Sequence, residues 1–143
     1  MSKPYSTDFN LWIRETAQLL RDRHWHAIDL PSLIEEVEDL GKRERRAITS
    51  QLTRLLLHLL KWQYQPQRRS ESWLDSITDA RTQIELAIED SPSLKSYPAE
   101  TLEESYRRSR RQAAKQTRLD VTTFPQSCPY PLSLALSEDW LPE

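Results

Sequence analysis

Apolar positions return at three- and four-residue steps along most of the chain, and no stretch alternates as a half-buried strand would. Phe9, Trp12, Ile13, Ala17 and Leu20 share one face of a helix expected from about Thr7 or Asp8 to about Arg23. Either starting residue can offer a side-chain oxygen to the free N–H groups of the first turn. A second stripe runs Ile34, Val37, Gly41, Ile48, Leu52, Leu55, Leu59 and Trp62, and predicts a helix from near Pro31, with Asp29 as a cap, to about Gln65. Gly41 can end a helix or merely weaken it by about 1 kcal/mol. Glu38 with Lys42 and Asp39 with Arg43 are acid-before-base pairs four residues apart, worth ~0.2–0.5 kcal/mol each if the helix continues. Stripe and pairs together favour one helix, about 50 Å long at ~1.5 Å per residue. A compact chain of this size has a diameter of roughly 37 Å. The helix is therefore expected to bend near Gly41 or to rest its overhang on a second subunit.

A polar loop, Pro66 to Ser72, follows, and Ser72 with Asp75 reads as the start of a third helix. Its face is Trp73, Ile77, Ala80, Ile84, Ala87 and Ile88, and it should stop near Asp90, because Pro92 disfavours helical geometry at Ser91. A fourth helix is expected from near Pro98 to about Thr117, with Leu102, Tyr106, Ser109 and Ala113 inward. That face is small and weakly apolar, which suits close packing. Beyond it, Pro125, Pro129, Pro131 and Pro142 forbid a long helix. Phe124, Tyr130, Leu132, Leu134, Leu136, Trp140 and Leu141 argue against a free tail. The expected fold is all-α: a single domain of about four main helices (1–118), with an irregular Pro-rich strap (119–143) laid over them and one helical turn around Leu132 to Leu136.

Composition narrows the function classes. The 143 residues suit one domain. With one Gly, neither a dinucleotide fingerprint nor a P-loop can be built. With one cysteine, Cys128, there is no internal disulfide or multi-Cys zinc site, and Cys128 reads as a packing residue in the strap. No apolar run reaches the ~18 residues of a membrane helix, and the polar stretch Met1 to Asn10 lacks a signal-peptide core. A cytoplasmic address is expected. A net charge of −2 and a pI near 6.0 do not describe a polycation seeking DNA.

Candidate chemistry is sparse. Glu35, Glu36, Glu38 and Asp39 form an acidic cluster whose carboxylates, with His58, are candidates for holding Mg²⁺, Mn²⁺ or iron. The same acids also complement a helix dipole and face Lys42 and Arg43. Gln51, Arg54, His58 and Lys61 make a polar stripe, so His58 reads as a boundary histidine. His24 and His26 flank Trp25, which is expected to cover the end of the bundle; no third ligand joins them. Arg68 and Arg69, with Trp62, Tyr64 and Trp73, have the ring-and-arginine composition that single-stranded nucleic acid uses; the alternative is that the rings anchor the loop. Arg107, Arg111, Lys115 and Arg118 form one basic stripe that could follow a phosphate backbone or meet an acidic surface. The ordinary reading is a solvated helix end, with Glu103 and Glu104 four residues ahead of Arg107 and Arg108.

The order of motifs carries a resemblance. Leu33-Ile34-Glu35-Glu36-Val37-Glu38-Asp39-Leu40-Gly41 comes first, then Leu55-Leu56-Leu57-His58-Leu59-Leu60-Lys61-Trp62. Tyr64, Pro66, Arg68, Arg69, Ser72-Trp73 and Ser91-Pro92-Ser93-Leu94 follow. Phe124-Pro125, Cys128-Pro129-Tyr130 and Trp140-Leu141-Pro142 close the chain. Over almost its whole length the chain resembles the bacterial, mainly cyanobacterial, family catalogued as domain of unknown function twenty-nine. Pro98 departs from the apolar residue expected there, which leaves the start of the fourth helix open. The resemblance implies a small, soluble, all-helical, cytoplasmic protein, and it brings no reaction, ligand or catalytic residue. The leading expectation is a non-enzymatic interaction module, homo-oligomeric and by preference dimeric, with no cofactor and no membrane partner. Alternatives are a nucleic-acid-binding protein using the basic stripe, and a metal-dependent enzyme using the acidic cluster.

Overall fold

Capping chemistry sets the first helix boundaries. The computed structural model describes residues 4–143; Met1 to Lys3, which open the polar N-terminal stretch, lie outside them. A single turn, α1 (Pro4–Thr7), leads into α2 (Phe9–Arg21), where the Asp8 side chain accepts a hydrogen bond from the Leu11 N–H at 3.0 Å. The remaining helices are α3 (Leu30–Tyr64), α4 (Glu71–Asp90), α5 (Tyr97–Thr117) and a short α6 (Leu132–Ala135). No strand occurs among the described residues, and the fold is an all-α bundle with four substantial helices. The chain divides after Arg43 into two compact units.

In the first unit α2 stops two residues short of Arg23. Arg23 adopts the left-handed backbone (φ 57°), its N–H bonds the Leu20 carbonyl, and the His24 N–H reaches back to Leu19 at 2.9 Å. This is the 6→1, 5→2 closure that glycine ordinarily makes; an arginine in its place gave no sequence signal. The start of α3 is as expected. Asp29 accepts from the Ser32 N–H (3.3 Å) and hydroxyl (2.7 Å). The α3 backbone is helical without interruption through Gly41. The ion pairs there are Lys42–Asp39 (3.9 Å) and Arg43–Glu36 (4.0 Å), not the four-residue pairs the spacing suggested. Only Trp12 and Thr16 are buried among this unit's described residues. Tyr5 meets Trp12 edge-on at 4.8 Å, and Phe9 stacks on it at 5.9 Å.

The second unit holds the core. Leu52, Leu55, Leu56, Leu59 and Leu60 of α3 pack with Ile77, Ala80 and Ile84 of α4 and Tyr106 and Ala113 of α5. Burying each leucine fully stabilises by about 1.5–3 kcal/mol. The cap of α4 is Ser70, whose hydroxyl accepts from the Trp73 N–H at 3.3 Å. The helix thus begins one residue after Ser70, ahead of the Ser72 start the sequence suggested. Between α3 and α5 the small face does bring backbones close. Ser109 Oγ donates to the Thr53 carbonyl (2.8 Å), and Thr49 and Thr101 share a hydrogen bond (2.8 Å).

The strap closes over this core. Phe124, Tyr130 and Ala135 are buried in the leucine cluster, and Leu132–Ala135 forms the expected helical turn. Tyr106 and Arg110 of α5 donate to the Pro125 and Phe124 carbonyls, and the Tyr130 hydroxyl donates to Gln63 Oε1 at 2.7 Å. Burial pushes the Tyr106 hydroxyl up to about 12, and the Tyr130 hydroxyl also upward.

Candidate functional site

The acidic cluster lies in the first unit. Glu35 and Glu38 are exposed, Asp39 pairs with Lys42, and Glu36 accepts from the Tyr5 hydroxyl (3.1 Å) beside Arg43. Around it stands an apolar surface. Phe9, Ile13 and Leu20 of α2, Trp25 of the turn, and Leu30, Ile34, Val37 and Leu40 of α3 are all exposed. Trp25 is 59% exposed, so it does not cover the end of the bundle as expected; the 3-10 turn Trp25–Ala27 turns its ring outward. Between α2 and the start of α3 runs an apolar groove of about 290 Å³, with Trp12 and Thr16 at its floor and Val37 and Leu40 on its wall. His24 and His26 are exposed. Among the described residues no three His, Cys, Asp or Glu side chains gather where they could hold a metal ion.

In the second unit His58 is half-buried on α3, with Nδ1 at 2.8 Å from the Arg54 carbonyl. A carbonyl only accepts, so Nδ1 carries a proton and donates it there. Burial holds its pKa below 6.5, and the Lys61 and Arg54 cations add to this against the pull of the carbonyl. Arg54 itself reaches Asp79 of α4 at 2.6 Å, which holds that carboxyl below its usual range.

The loop arginines diverge. Arg69 lies over the Trp62 ring (4.8 Å), donates to the Trp62 carbonyl (2.8 Å) and reaches Glu143; Arg68 is exposed in the Pro66–Arg68 turn. Tyr64 packs edge-on against Phe124 at 5.1 Å, and Lys61 covers Trp73 at 4.9 Å. These rings are engaged by their own chain.

On α5 the basic stripe is shorter than its spacing suggests. Arg118 follows the last turn with a left-handed backbone (φ 62°) and leaves the helical face. Arg107 and Arg111 instead join Arg110 around a cavity of about 830 Å³ between α5 and the strap, lined also by Glu103, Ser127 and Cys128. Burial raises the Cys128 thiol, whose Sγ lies 3.5 Å from the Tyr130 carbonyl. Sequence reasoning missed this cavity because the strap residues that close it are not periodic. It also missed Arg81. That residue sits on the Ile77–Ile84 face of α4, where a lone cation in an apolar stripe was the available signal.

The helices, their core and their surfaces define an all-α helical-bundle protein with no helix, among the described residues, long and apolar enough to cross a membrane. The chain belongs to the family described as "Domain of unknown function DUF29", which it matches over residues 4–141. No curated protein and no solved structure matches it.

Proposed function

We propose that this protein is a non-enzymatic interaction module that works as a homodimer in the bacterial cytoplasm, and that its docking face is the apolar surface of α2 and the first turns of α3. The observation that carries this is the eight large apolar side chains exposed in the first unit, Val37 (60%) and Leu40 (58%) among them. A helix presents such a stripe to a core or to a partner, and contiguous apolar surface of this kind marks docking sites.

Charge favours a second copy as the occupant. Two-fold interfaces must be self-complementary. About the Leu40–Gly41 bond, Asp39 is mirrored by Lys42 and Glu38 by Arg43. In the sequence, Glu36 and Glu35 are mirrored in the same way by Arg45 and Arg46. An antiparallel pairing centred there sets acid against base at these four positions, with Val37 facing Glu44, and Gly41 offers no side chain to hold the crossing apart. A parallel pairing would set like charges together.

Sedimentation equilibrium over about 1–100 μM, the range of ordinary dimers, tests the reading. The expected mass is twice 16.9 kDa, and Val37→Glu is expected to halve it with helicity unchanged. A wild-type monomer throughout that range overturns the proposal.

A further inference from the structure

The cavity between α5 and the strap shares no lining residue with the dimer face and has a chemistry of its own. Arg107 and Arg111, one helical turn apart, and Arg110, whose Nε is fixed on the Phe124 carbonyl at 3.1 Å, all line it. Among the described residues Arg107 and Arg111 make no hydrogen bond or ion pair. Their neighbour Arg108, which does not line the cavity, is paired with Glu104 at 3.6 Å. Like charges a turn apart destabilise a helix, so the guanidiniums of Arg107 and Arg111, with no carboxylate against them beside the concavity, are a cost that a bound anion would offset.

We propose that this cavity binds a small organic phosphate. Forked guanidiniums match phosphate oxygens in bidentate fashion, and three of them suit a group with three terminal oxygens. Leu102 and Val121 supply an apolar wall for the organic part, and the Glu103 carboxylate can accept from a ligand hydroxyl. The volume of about 830 Å³ falls within the ~300–1,000 Å³ of small-molecule sites. A long polyanion fits less well, because Arg118 turns away from the stripe and Lys115 does not line the cavity.

Isothermal titration at about 0.15 M salt tests this with three probes: inorganic phosphate, adenosine 5′-monophosphate and a short single-stranded oligonucleotide. The nucleotide is expected to bind saturably at one site per chain and more tightly than phosphate. Arg107→Gln with Arg111→Gln should weaken it at least about tenfold, and Arg108→Gln should leave it within about twofold. Should the double variant lose helicity, Val121→Glu, which sets a carboxylate at an exposed lining position, is expected to weaken binding as much. Absence of saturable binding by the nucleotide, or binding that survives these substitutions, overturns the proposal. So does binding of the oligonucleotide alone with an equal loss from Lys115→Gln, which would mark an open polyanion surface instead.

Discussion

The Arg81 guanidinium donates from Nη2 to the backbone carbonyl of Trp140 at 2.6 Å. The same side chain donates to Ala135 (2.8 Å) and Glu138 (3.1 Å), so one buried arginine of α4 holds the end of the strap by three carbonyls. Among the described residues it has no carboxylate partner in contact; burial lowers its pKa, and Asp139 acts against this. Replacing it with methionine keeps the packing but strands the carbonyls. Arg81→Met should cost about 2–4 kcal/mol in urea unfolding, since hydrogen bonds to charged groups contribute ~1.5–3 kcal/mol each and are not additive. Amide exchange should speed up in the strap before it does in α3.

The seam between α3 and α5 leaves little room. Ser109 is fully buried, and its single hydroxyl hydrogen is shared between the Thr53 (2.8 Å) and Ser105 (2.7 Å) carbonyls. Ser109→Ala should cost only about 0.5–1.5 kcal/mol. Ser109→Leu should cost more, because overpacking a well-packed core typically costs about 1–3 kcal/mol in addition. Equal losses from the two substitutions would show that the seam is not tight.

Among the described residues both left-handed non-glycine positions are arginines, Arg23 and Arg118. Left-handed backbone costs a residue with a Cβ about 1–2 kcal/mol. Arg23→Gly and Arg118→Gly should therefore each raise stability by about 1 kcal/mol, offset in part by glycine's greater unfolded-state freedom. Unfolding midpoints in urea read this directly.

His58 sets an acid-side pH dependence. Its folded pKa is held below 6.5, chiefly by burial, so the native state binds fewer protons than the unfolded chain beneath that pH. Its contribution to stability is present above 6.5 and is lost as pH falls through the lower, folded value. His58→Gln should flatten this part of the profile. On the alkaline side, Tyr106 is held up to about 12 from 10.0 by burial. Stability should be lost as pH rises from 10 through about 12, and Tyr106→Phe should reduce that loss.

Much of this fold is legible in the sequence, because helical periodicity is strong wherever a helix meets the leucine core. The stripe through Leu52, Leu55 and Leu59 and the prolines of the strap both mark real features. What escapes is chemistry carried by unexpected residues. The ends of α2 and α5 rest on Arg23 and Arg118, not on glycine. Among the candidate residues, Arg107 and Arg111 are brought together with Arg110, whereas Arg118 leaves the stripe and Arg69 is spent on Trp62. The apolar residues of α2 share one face, as their spacing predicts, yet Phe9, Ile13 and Leu20 on it are exposed. A period shows that a face exists, but it does not tell whether the covering partner is the same chain or another.

The antiparallel dimer is tested most directly by sedimentation velocity on two charge variants, alone and mixed. Lys42→Glu with Arg43→Glu makes the central block all acidic, and Glu38→Lys with Asp39→Lys makes it all basic. The account predicts a dimer of twice 16.9 kDa for the wild type, monomers for each variant alone, and a dimer again when the two are mixed in equal amounts. Variants that dimerise alone as the wild type does, or a mixture that stays monomeric, would contradict it.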